Sequence, residues 1–516
     1  MPKWLNDAVF YEIYPQSYYD TNGDGIGDLQ GIIEKLPYVK SLGCNALWLN
    51  PVYDSPFMDA GYDVRNHKQI APRYGTNEDM KRLLDTAHEM GIKVLLDLVP
   101  GHTSDTNPWF LEAKKAEKNE FSNRYIFTDN VWEAPSEYRL MCGICQRDGN
   151  YLINYFSSQP ALNYGFHEVT HPKWQLPTDH PDCIATAEAL KDIMRFWLDM
   201  GADGFRVDMA DSLCKNDDEK ISTAKIWQGV RKMLDEEYPE AAIVAEWCHP
   251  ERAIKNAGFH MDFYLDHYGN GYSKLFRYLD KDGKNQAFFH KSGNGDITAF
   301  LDEYLPNYEL TKDLGYISFM TNNHDMPRAT YYMDKDTIKL SHGMIFTMPG
   351  VPFLYYGDEL GMRYQSELVS VEGGYSRTGS RSPMQWDSSK NLGFSTADAD
   401  KLYMPVDSHE DAPTVENQKD DPDSIFKVVT DIIRLRHEIP ELGNGSGFEV
   451  VYAEKGKYPF VYRRGGYVVF VNPSDDKVSI PFAEGVEEKV YIIGEISFRC
   501  KKATMSPSSF AIIKTK

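Results

Sequence analysis

The chain of 516 residues is long enough for two or three domains, or for one large barrel with additional domains. An apolar fraction of 42% and an aromatic fraction of 13% provide for a sizeable core, and Tyr and Trp side chains also stack well on sugar rings. The net charge of −22 argues against nucleic acid or an anionic membrane as partner and suits a neutral small-molecule substrate.

The cysteines and the N-terminus bear on localisation. Seven scattered cysteines favour reduced thiols in a cytoplasm over a disulfide framework, and the CxxC pair of Cys142 and Cys145 has no second pair or His at zinc spacing. The first residues contain no apolar core of signal-peptide length, and no apolar run could span a bilayer. We therefore expect a cytoplasmic protein with no membrane partner. Prior removal of a signal peptide stays open, as does the oligomeric state.

An acidic loop follows the first strand candidate, 8–13. Residues 20–28, DTNGDGIGD, place oxygen-bearing side chains at alternate positions and then a Gly for the turn, as in the first half of a calcium loop. An EF-hand would need Glu where Gly31 stands, so Asp28 closes the candidate site instead. The pattern predicts Ca²⁺, or Mg²⁺ in its place, and the alternative is a solvated turn. The predicted ligands are Asp20, Asn22, Asp24, the Ile26 carbonyl and Asp28.

From this loop onward strands and helices alternate. The residue pattern predicts a helix over 28–42, a buried strand over 46–49, a helix over 78–90 and a strand over 93–99. This rhythm is typical of parallel strands with helical crossovers. Further strands are predicted at 204–208, 242–245, 261–264, 316–319 and 353–356. About eight strands in all match the count of a TIM (β/α)8 barrel, an α/β fold.

Two segments interrupt or follow this rhythm. Residues 103–184 are aromatic and irregular, which predicts a loop-rich inserted domain B after strand 3, placed where a barrel enzyme builds a substrate wall. Short strands separated by turn residues after 437 predict a small antiparallel β-sandwich. The predicted domains are the barrel at 1–102 and 185–437, domain B at 103–184 and the sandwich at 438–516.

The stretch from Gly204 to Asp208 alternates in polarity. Phe205 and Val207 would face one way along a strand, and Arg206 and Asp208 the other. Burying Arg and Asp on one face is costly unless they pair or do chemistry. An Arg beside Asp208 would hold that carboxylate ionised, which suits a nucleophile. A plain ion pair at a strand end is the alternative.

Polar groups also follow other predicted strands, and the barrel topology would bring them to one mouth. They are Asp97 with His102, Arg206 with Asp208, Glu246, and His324 with Asp325. Paired carboxylates in such a mouth suit glycoside hydrolysis, in which one attacks the anomeric carbon and another protonates the leaving oxygen. Glu246 follows an apolar strand among other carboxylates, so a raised pKa and the acid/base role are expected for it.

These residues carry a resemblance to a known family. Asp97 and His102, GFRVD at 204–208, Glu246 and NHD at 323–325 resemble, in order, the signatures of the α-amylase-type glycoside hydrolases. GYD at 61–63, QPALN at 159–163 and RSPMQW at 381–386 also fall in family order, so the match covers essentially the whole chain. The acidic loop resembles the first-loop calcium site of the oligo-1,6-glucosidase and α-glucosidase-like branch.

The resemblance implies roles for individual residues. In a retaining mechanism Asp208 would be the nucleophile, Glu246 the general acid/base and Asp325 the transition-state stabiliser. His102, Arg206 and His324 would line the subsite of the attacked glucose, with Tyr62 stacked under the ring. Asp63 would bind its far hydroxyls and pair with Arg381. Such a pair would close the pocket beyond one glucose, which implies release of glucose from non-reducing ends.

The resemblance implies a hydrolase of short α-glucans, with α-1,4 linkages favoured over α-1,6. Met209, after the nucleophile, does not settle the linkage. A glucosyl transferase or a trehalose-forming isomerase would share the same covalent intermediate, and an endo-acting α-amylase is a further alternative. A non-catalytic amylase-like binding protein would be expected to lack Asp208 or Glu246, which this chain retains.

Overall fold

The computed structural model describes residues 1–265, 271–292 and 294–516, and in it eight parallel strands close into one barrel. Each strand pairs with the next along the chain and the last pairs with the first, which confirms the predicted TIM barrel. The barrel strands are β1 (Phe10–Ile13), β2 (Ala46–Leu49), β3 (Lys93–Leu98), β4 (Gly204–Val207), β5 (Ala242–Ala245), β6 (Met261–Phe263), β7 (Tyr316–Phe319) and β8 (Val351–Tyr355).

Helices connect the strands and cover the outside of the barrel. The helices are α1 (Leu29–Ser41), α2 (Asn77–Glu89), α3 (Pro108–Ala113), α4 (Pro181–Met200), α5 (Ile221–Glu237), α6 (Ser273–Phe276), α7 (Thr298–Thr311), α8 (Lys335–Ile345), α9 (Val415–Gln418) and α10 (Ile425–Glu438), with a π-helical turn at Glu251–Asn256. None of the helices in the described residues is both long and apolar enough to cross a membrane.

Side chains along the barrel strands alternate in direction, and this alternation produces two separate buried apolar clusters. Phe205 and Val207 of β4 face outward, into the same buried cluster as Trp197 of α4. The barrel interior is filled by a second apolar cluster that includes Trp48 and Phe263. Polar groups such as Arg206 lie above this apolar floor, toward the carboxyl ends of the strands, which is where the strand pattern predicts them.

The segment between β3 and α4 forms a small unit beside the barrel mouth. It contains a two-stranded piece, Leu140–Met141 with Tyr151–Leu152, and its own apolar cluster around Phe166 and Trp174. An isolated bridge between His102 and Ala161 attaches it to the loop after β3. Helix α4 begins at Pro181, inside the range predicted for domain B, because a proline is well suited to the first helical position and the His180 side chain caps it by accepting from Asp182 N.

The C-terminal region consists of two antiparallel sheets, as predicted. Eight strands are present over 449–515, and two of them, Ile496–Arg499 and Lys502–Met505, form a hairpin. Its turn residues Cys500 and Lys501 have positive φ without being glycine, so no turn residue signals the hairpin. The strands are β9 (Glu449–Tyr452), β10 (Phe460–Arg464), β11 (Tyr467–Asn472), β12 (Val478–Pro481), β13 (Val486–Ile493), β14 (Ile496–Arg499), β15 (Lys502–Met505) and β16 (Ser509–Thr515).

Candidate active site

A pocket of about 420 Å³ opens at the carboxyl ends of the barrel strands. Five of the nine residues predicted to act on the substrate line it: Tyr62, His102, Asp208, Glu246 and Asp325. The other four, Asp63, Arg206, His324 and Arg381, are fully buried behind this wall. The pocket volume and its carboxylates are suited to a small polar ligand.

Arg206 is the centre of the charge network. Its guanidinium contacts Asp97 at 3.0 Å, Asp208 at 3.0 Å and Glu246 at 2.9 Å, and the side chain is fully buried. The pairing follows from strand register, because Arg206 of β4 lies directly opposite Asp97 of β3 and Val207 lies opposite Ala245, which precedes Glu246. One guanidinium therefore neutralises part of the charge of three carboxylates.

This sharing changes the expected charge of Asp208. Burial and the neighbouring Glu246 carboxylate raise the pKa of Asp208 well above its ordinary value, and Arg206 opposes this without overcoming it. The expectation that Arg206 by itself holds Asp208 ionised is thus wrong, because Asp97 and Glu246 compete for the same cation. Asp97 contacts the same guanidinium, and burial raises its pKa as well.

His324 lies in a second network beneath the pocket. Its Nδ1 is 2.8 Å from Glu12 Oε1, and its Nε2 is 2.7 Å from the Tyr62 hydroxyl and 3.1 Å from Asp325 Oδ2. Burial opposes a charge on this ring, but Asp325 and Glu12 overcome it and raise the pKa of His324 to about 9. Burial likewise opposes the charge of Asp325, yet His324, Arg377 and Arg381 hold its pKa well below the usual value. The structure therefore has an imidazolium paired with an ionised Asp325.

The raised pKa of His324 predicts that the free energy of unfolding falls as the pH rises into the alkaline range. The folded value of about 9 exceeds the ordinary 6.5, so this group stabilises the fold fully below pH 6.5 and ceases to do so as pH rises through 9. We expect the difference in unfolding free energy between wild type and His324→Gln to shrink by about 3 kcal/mol across that range.

Denaturant titrations from pH 6 to pH 10 would measure this difference. His342→Gln is the matched control, because burial lowers the pKa of His342 to about 4 and the ring stays neutral throughout the range. The two differences should therefore diverge with pH. A constant difference for His324→Gln would contradict the imidazolium.

Tyr62 and His102 form one side of the pocket. The Tyr62 hydroxyl donates to Asp97 at 2.9 Å, and its ring lies parallel to that of His324 with centroids 5.4 Å apart. His102 Nε2 is 3.1 Å from the Tyr62 carbonyl oxygen, and its Nδ1 is 3.1 Å from the Asn154 amide nitrogen. Burial lowers the pKa of His102 to about 4, so this ring is neutral where His324 is charged.

The predicted pair of Asp63 with Arg381 is not formed, although both residues are described. Asp63 accepts hydrogen bonds from Met58 N and Asp59 N, so its carboxylate closes the turn of its own loop. Arg381 donates to Asp325 at 2.9 Å and to the His324 carbonyl oxygen at 2.9 Å. Both side chains thus support the wall from behind instead of closing the pocket.

A different ion pair lines the pocket. Arg377 contacts Asp59 at 2.9 Å and Asp325 at 3.1 Å, and Asp59 also accepts from Gln159 at 2.8 Å. Asp59 and Arg377 line the pocket. Each lies four residues before the residue predicted for the pair, so the motifs indicated the correct two loops but the wrong members. Asn154 and Glu12 were also missed, since neither stands in a motif that the sequence interpretation used.

The predicted metal loop is closed by its own hydrogen bonds. Asp20 accepts from Gly23 N and Gly25 N, both at 2.8 Å, and from Ser395 Oγ at 2.5 Å. Asp28 accepts from Gly31 N at 2.7 Å, which makes it the N-cap of α1. These contacts explain why the loop residues are acidic without invoking an ion.

The remaining ligand candidates also serve the loop. Asn22 Oδ1 accepts from Asp24 N, and Asp24 Oδ1 accepts from Ile26 N, both at 2.9 Å. Throughout the described ranges, no three or more His, Cys, Asp or Glu side chains are grouped so that they could hold a metal ion. Metal binding by the predicted set, which also includes the Asn22 amide and the Ile26 carbonyl, stays a prediction.

The chain is similar to known proteins over nearly its whole length. The family described as alpha amylase, catalytic domain, matches residues 12–445. An oligo-1,6-glucosidase of Heyndrickxia coagulans is 31% identical, with 93% of this chain and 94% of the relative covered. The trehalose synthase/amylase TreS of Mycolicibacterium smegmatis is 32% identical, with 85% and 77% covered. A structure of an isomaltulose synthase variant from Erwinia rhapontici with sucrose covers all of both chains at 24% identity and a TM-score of 0.80, a likeness of fold.

Proposed function

Because this chain belongs to the α-amylase family and is a glycoside hydrolase of that family, we propose that it is a retaining α-glucosidase that removes single glucose units from short α-glucans. The observation that carries the proposal is the placement of Asp208 and Glu246 on one buried guanidinium, in a pocket closed by the ion pair of Asp59 and Arg377. We propose α-1,4 linkages as preferred over α-1,6.

In this mechanism a carboxylate oxygen of Asp208 attacks the anomeric carbon of the bound glucose. The bond from that carbon to the glycosidic oxygen breaks, and Glu246 gives its proton to the departing oxygen. Glu246 then removes a proton from water, which attacks the anomeric carbon, frees Asp208 and releases glucose with its configuration retained. The attack requires Asp208 in its ionised form, which the Arg206 guanidinium at 3.0 Å favours.

Asp325 and its neighbours would stabilise the sugar ring in the transition state and would not take part in the proton transfer. Asp325 is ionised and lines the pocket, so it can accept hydrogen bonds from glucose hydroxyls that strengthen as positive charge develops on the ring. His324 and Arg381 hold it from behind. Tyr62 would contact one face of the same glucose.

Exo action follows from the closed end of the pocket. Asp59 and Arg377 come from two loops, and their side chains are only 5% and 17% exposed. A glucan chain could not continue past such a pair, so the non-reducing end would stop there. Charged side chains at that end also suit the free 3- and 4-hydroxyls of a terminal glucose.

A second candidate is a trehalose-forming or other α-glucosyl isomerase. The relative from Mycolicibacterium smegmatis, a trehalose synthase/amylase, favours it at 32% identity. Hydrolase and isomerase would share every step to the glucosyl-enzyme and differ in whether water or a sugar accepts the glucosyl group. The outcome depends on how well the pocket retains the released sugar.

A product time-course tests the proposal. Purified protein is incubated with maltotriose, isomaltose, panose and trehalose, and the products are separated by chromatography with their initial anomeric form determined by NMR. We expect α-glucose released one unit at a time, fastest from maltotriose. β-Glucose first would refute retention, longer fragments would indicate endo action, and formation of trehalose would favour the isomerase.

Calcium binding by the loop at 20–28 remains part of the proposal. All the candidate ligands are oxygens, and Asp20 and Asp28 are 4% and 5% exposed carboxylates that accept from neutral donors. An ion that binds only the folded state at 100 times its Kd stabilises by about 2.7 kcal/mol. We therefore expect a chelator to lower the Tm of wild type and to leave that of Asp24→Ala unchanged. Equal melting of wild type with and without chelator, with no metal bound, would contradict the site.

We propose that the protein is located in the cytoplasm and that its partner is a small sugar substrate. All seven cysteines are unpaired thiols, which suits a reducing compartment. The net charge of −22 does not suit nucleic acid. Fractionation of the cells that make the protein would test the compartment.

A further inference from the structure

The space around Gly101 shows what lies against His102. The backbone φ of Gly101 is not in the left-handed region, so the glycine is not required by its own conformation. A Cβ atom at this position would lie 2.7 Å from Asn154 Nδ2 and 2.9 Å from Ser212 Oγ. A Cβ at 101 would therefore displace the amide of Asn154, which comes from the inserted segment, or the hydroxyl of Ser212.

The Asn154 amide joins three parts of the site. Its Nδ2 donates to His102 Nδ1 at 3.1 Å, and it lies 3.4 Å from Ser212 Oγ and 3.9 Å from Met209 Sδ. His102 follows β3, whereas Met209 directly follows Asp208 at the end of β4. One side chain of the inserted segment thus touches the loops after both strands.

Lys215 determines which way the amide faces. Its Nζ is 3.2 Å from Asn154 Oδ1 and 2.5 Å from the Ser212 carbonyl oxygen. An ammonium group has donors and no acceptor, so the oxygen of the Asn154 amide must face Lys215 and the nitrogen must face His102. The orientation follows from the chemistry of the three groups.

The tautomer of His102 follows in turn. Its Nδ1 faces the NH₂ of Asn154 and must accept, while its Nε2 faces the Tyr62 carbonyl oxygen and must donate. The neutral ring with hydrogen on Nε2 satisfies both partners, and neither the other tautomer nor the imidazolium does. The two contacts therefore select one state of the ring.

We propose that Asn154, oriented by Lys215, is a positioning residue that fixes the tautomer and the orientation of His102 in the wall of the pocket. It acts through His102 and through the Tyr62 backbone that His102 contacts. The kinetic test of this proposal depends on the proposed glucosidase activity, whereas the spectroscopic test does not.

Charged groups around His102 decide what happens when the amide is lost. Asp59 favours a charge on the ring, Lys215 opposes it, and the neighbouring His67 is itself neutral because burial lowers its pKa to about 4. Burial is the largest effect and lowers the pKa of His102 to about 4. A proton on Nδ1 would also point at the NH₂ of Asn154. Removing that donor takes away one obstacle to protonation, and a carboxylate in its place would attract the proton.

Asn154→Asp is the sharpest variant because it keeps the shape and removes the donor. The new carboxylate can still pair with Lys215, and it would favour hydrogen on His102 Nδ1. We expect kcat/KM on maltose to fall at least tenfold at pH 6 and less at pH 8, with an acidic limb that wild type shows only near pH 4. Asn119→Ala is the control, since that domain B amide donates to the Glu112 carbonyl oxygen and does not line the pocket.

A second measurement does not require turnover. Ring-¹⁵N-labelled protein reports the tautomer and the pKa of His102 by NMR, with the signal identified by its loss in His102→Gln. We expect hydrogen on Nε2 in wild type and a His102 pKa raised by at least one unit in Asn154→Asp. An unchanged titration with kcat/KM within twofold of wild type would overturn the proposal. If wild type cleaved no α-glucoside, the proposed function would fail while the NMR result still decided this inference.

The space at Gly101 provides a coupled test. Gly101→Ala should lower kcat/KM in wild type, because its Cβ displaces the Asn154 amide, and should cost much less in Asn154→Gly. Melting curves of all four proteins show whether each is folded. Equal cost of Gly101→Ala in both backgrounds would mean that the glycine serves some other contact, and it would overturn the role given to the Asn154 amide.

Discussion

Replacing Asp208 by Asn is expected to lower kcat by at least about 10⁴-fold without lowering the Tm. The amide cannot attack the anomeric carbon, so the covalent intermediate does not form. Stability should not suffer, because the raised pKa of Asp208 means that ionising it costs folding free energy. That cost begins as pH rises through the unfolded value near 4, so the variant should match wild type below pH 4 and equal or exceed it at pH 7.

The matched control is Asp203→Asn, at the other end of the same strand. Asp203 contacts Lys93 at 2.8 Å and His88 at 2.7 Å, outside the pocket. This variant should melt at a lower temperature and keep kcat within about threefold. The two Asp→Asn substitutions thus have opposite expected effects, and near-full activity of Asp208→Asn would refute its assignment as the nucleophile.

Arg377→Ala is expected to lower kcat/KM on maltotriose by about a hundredfold. Arg377 holds both Asp59 and Asp325, and its loss frees two pocket carboxylates from their shared cation. Without Arg377 the pocket end opens, so maltoheptaose should yield fragments longer than glucose. Arg377→Lys should recover only part of the loss, because an ammonium does not provide the two-sided contact of a guanidinium.

Arg363→Ala is the control for a lost double ion pair outside the pocket. Arg363 contacts Asp407 at 2.8 Å and Asp411 at 2.7 Å. Its loss should change stability and leave the product pattern unaltered. A kcat/KM of Arg377→Ala within threefold of wild type, with glucose still the sole product, would show that this pair does not close the pocket.

The placement of Asp208 and Glu246 at one pocket was predictable because the signals for it are local. Asp208 and Glu246 each follow a short buried strand, and parallel strands in a closed barrel bring such positions to one mouth. Strand register then explains the contact of Arg206 with Asp97, which lie directly opposite each other. No loop conformation had to be known for these assignments.

The pair of Asp59 with Arg377 was not predictable, because each of the two loops contains two candidate residues. Asp59 and Asp63 lie four residues apart, as do Arg377 and Arg381, and the choice depends on where the backbone turns. Residues near both turns have positive φ without being glycine, including Ala60 at 51°. Such conformations are rare and carry no residue signal, so neither loop could be traced from its composition.

By itself, then, the sequence determined the barrel, the inserted segment, the two-sheet C-terminal region and the carboxylates at the strand ends, because strand and helix periodicity and strand-end positions are local properties of a chain. Only the tertiary structure decided which acid and base pair in the pocket wall, how three carboxylates share Arg206, and that the Asn154 amide fills the space beside Gly101. Those features arise from contacts between segments that are far apart in sequence. Their distances, burial and charges exist only once the chain has folded.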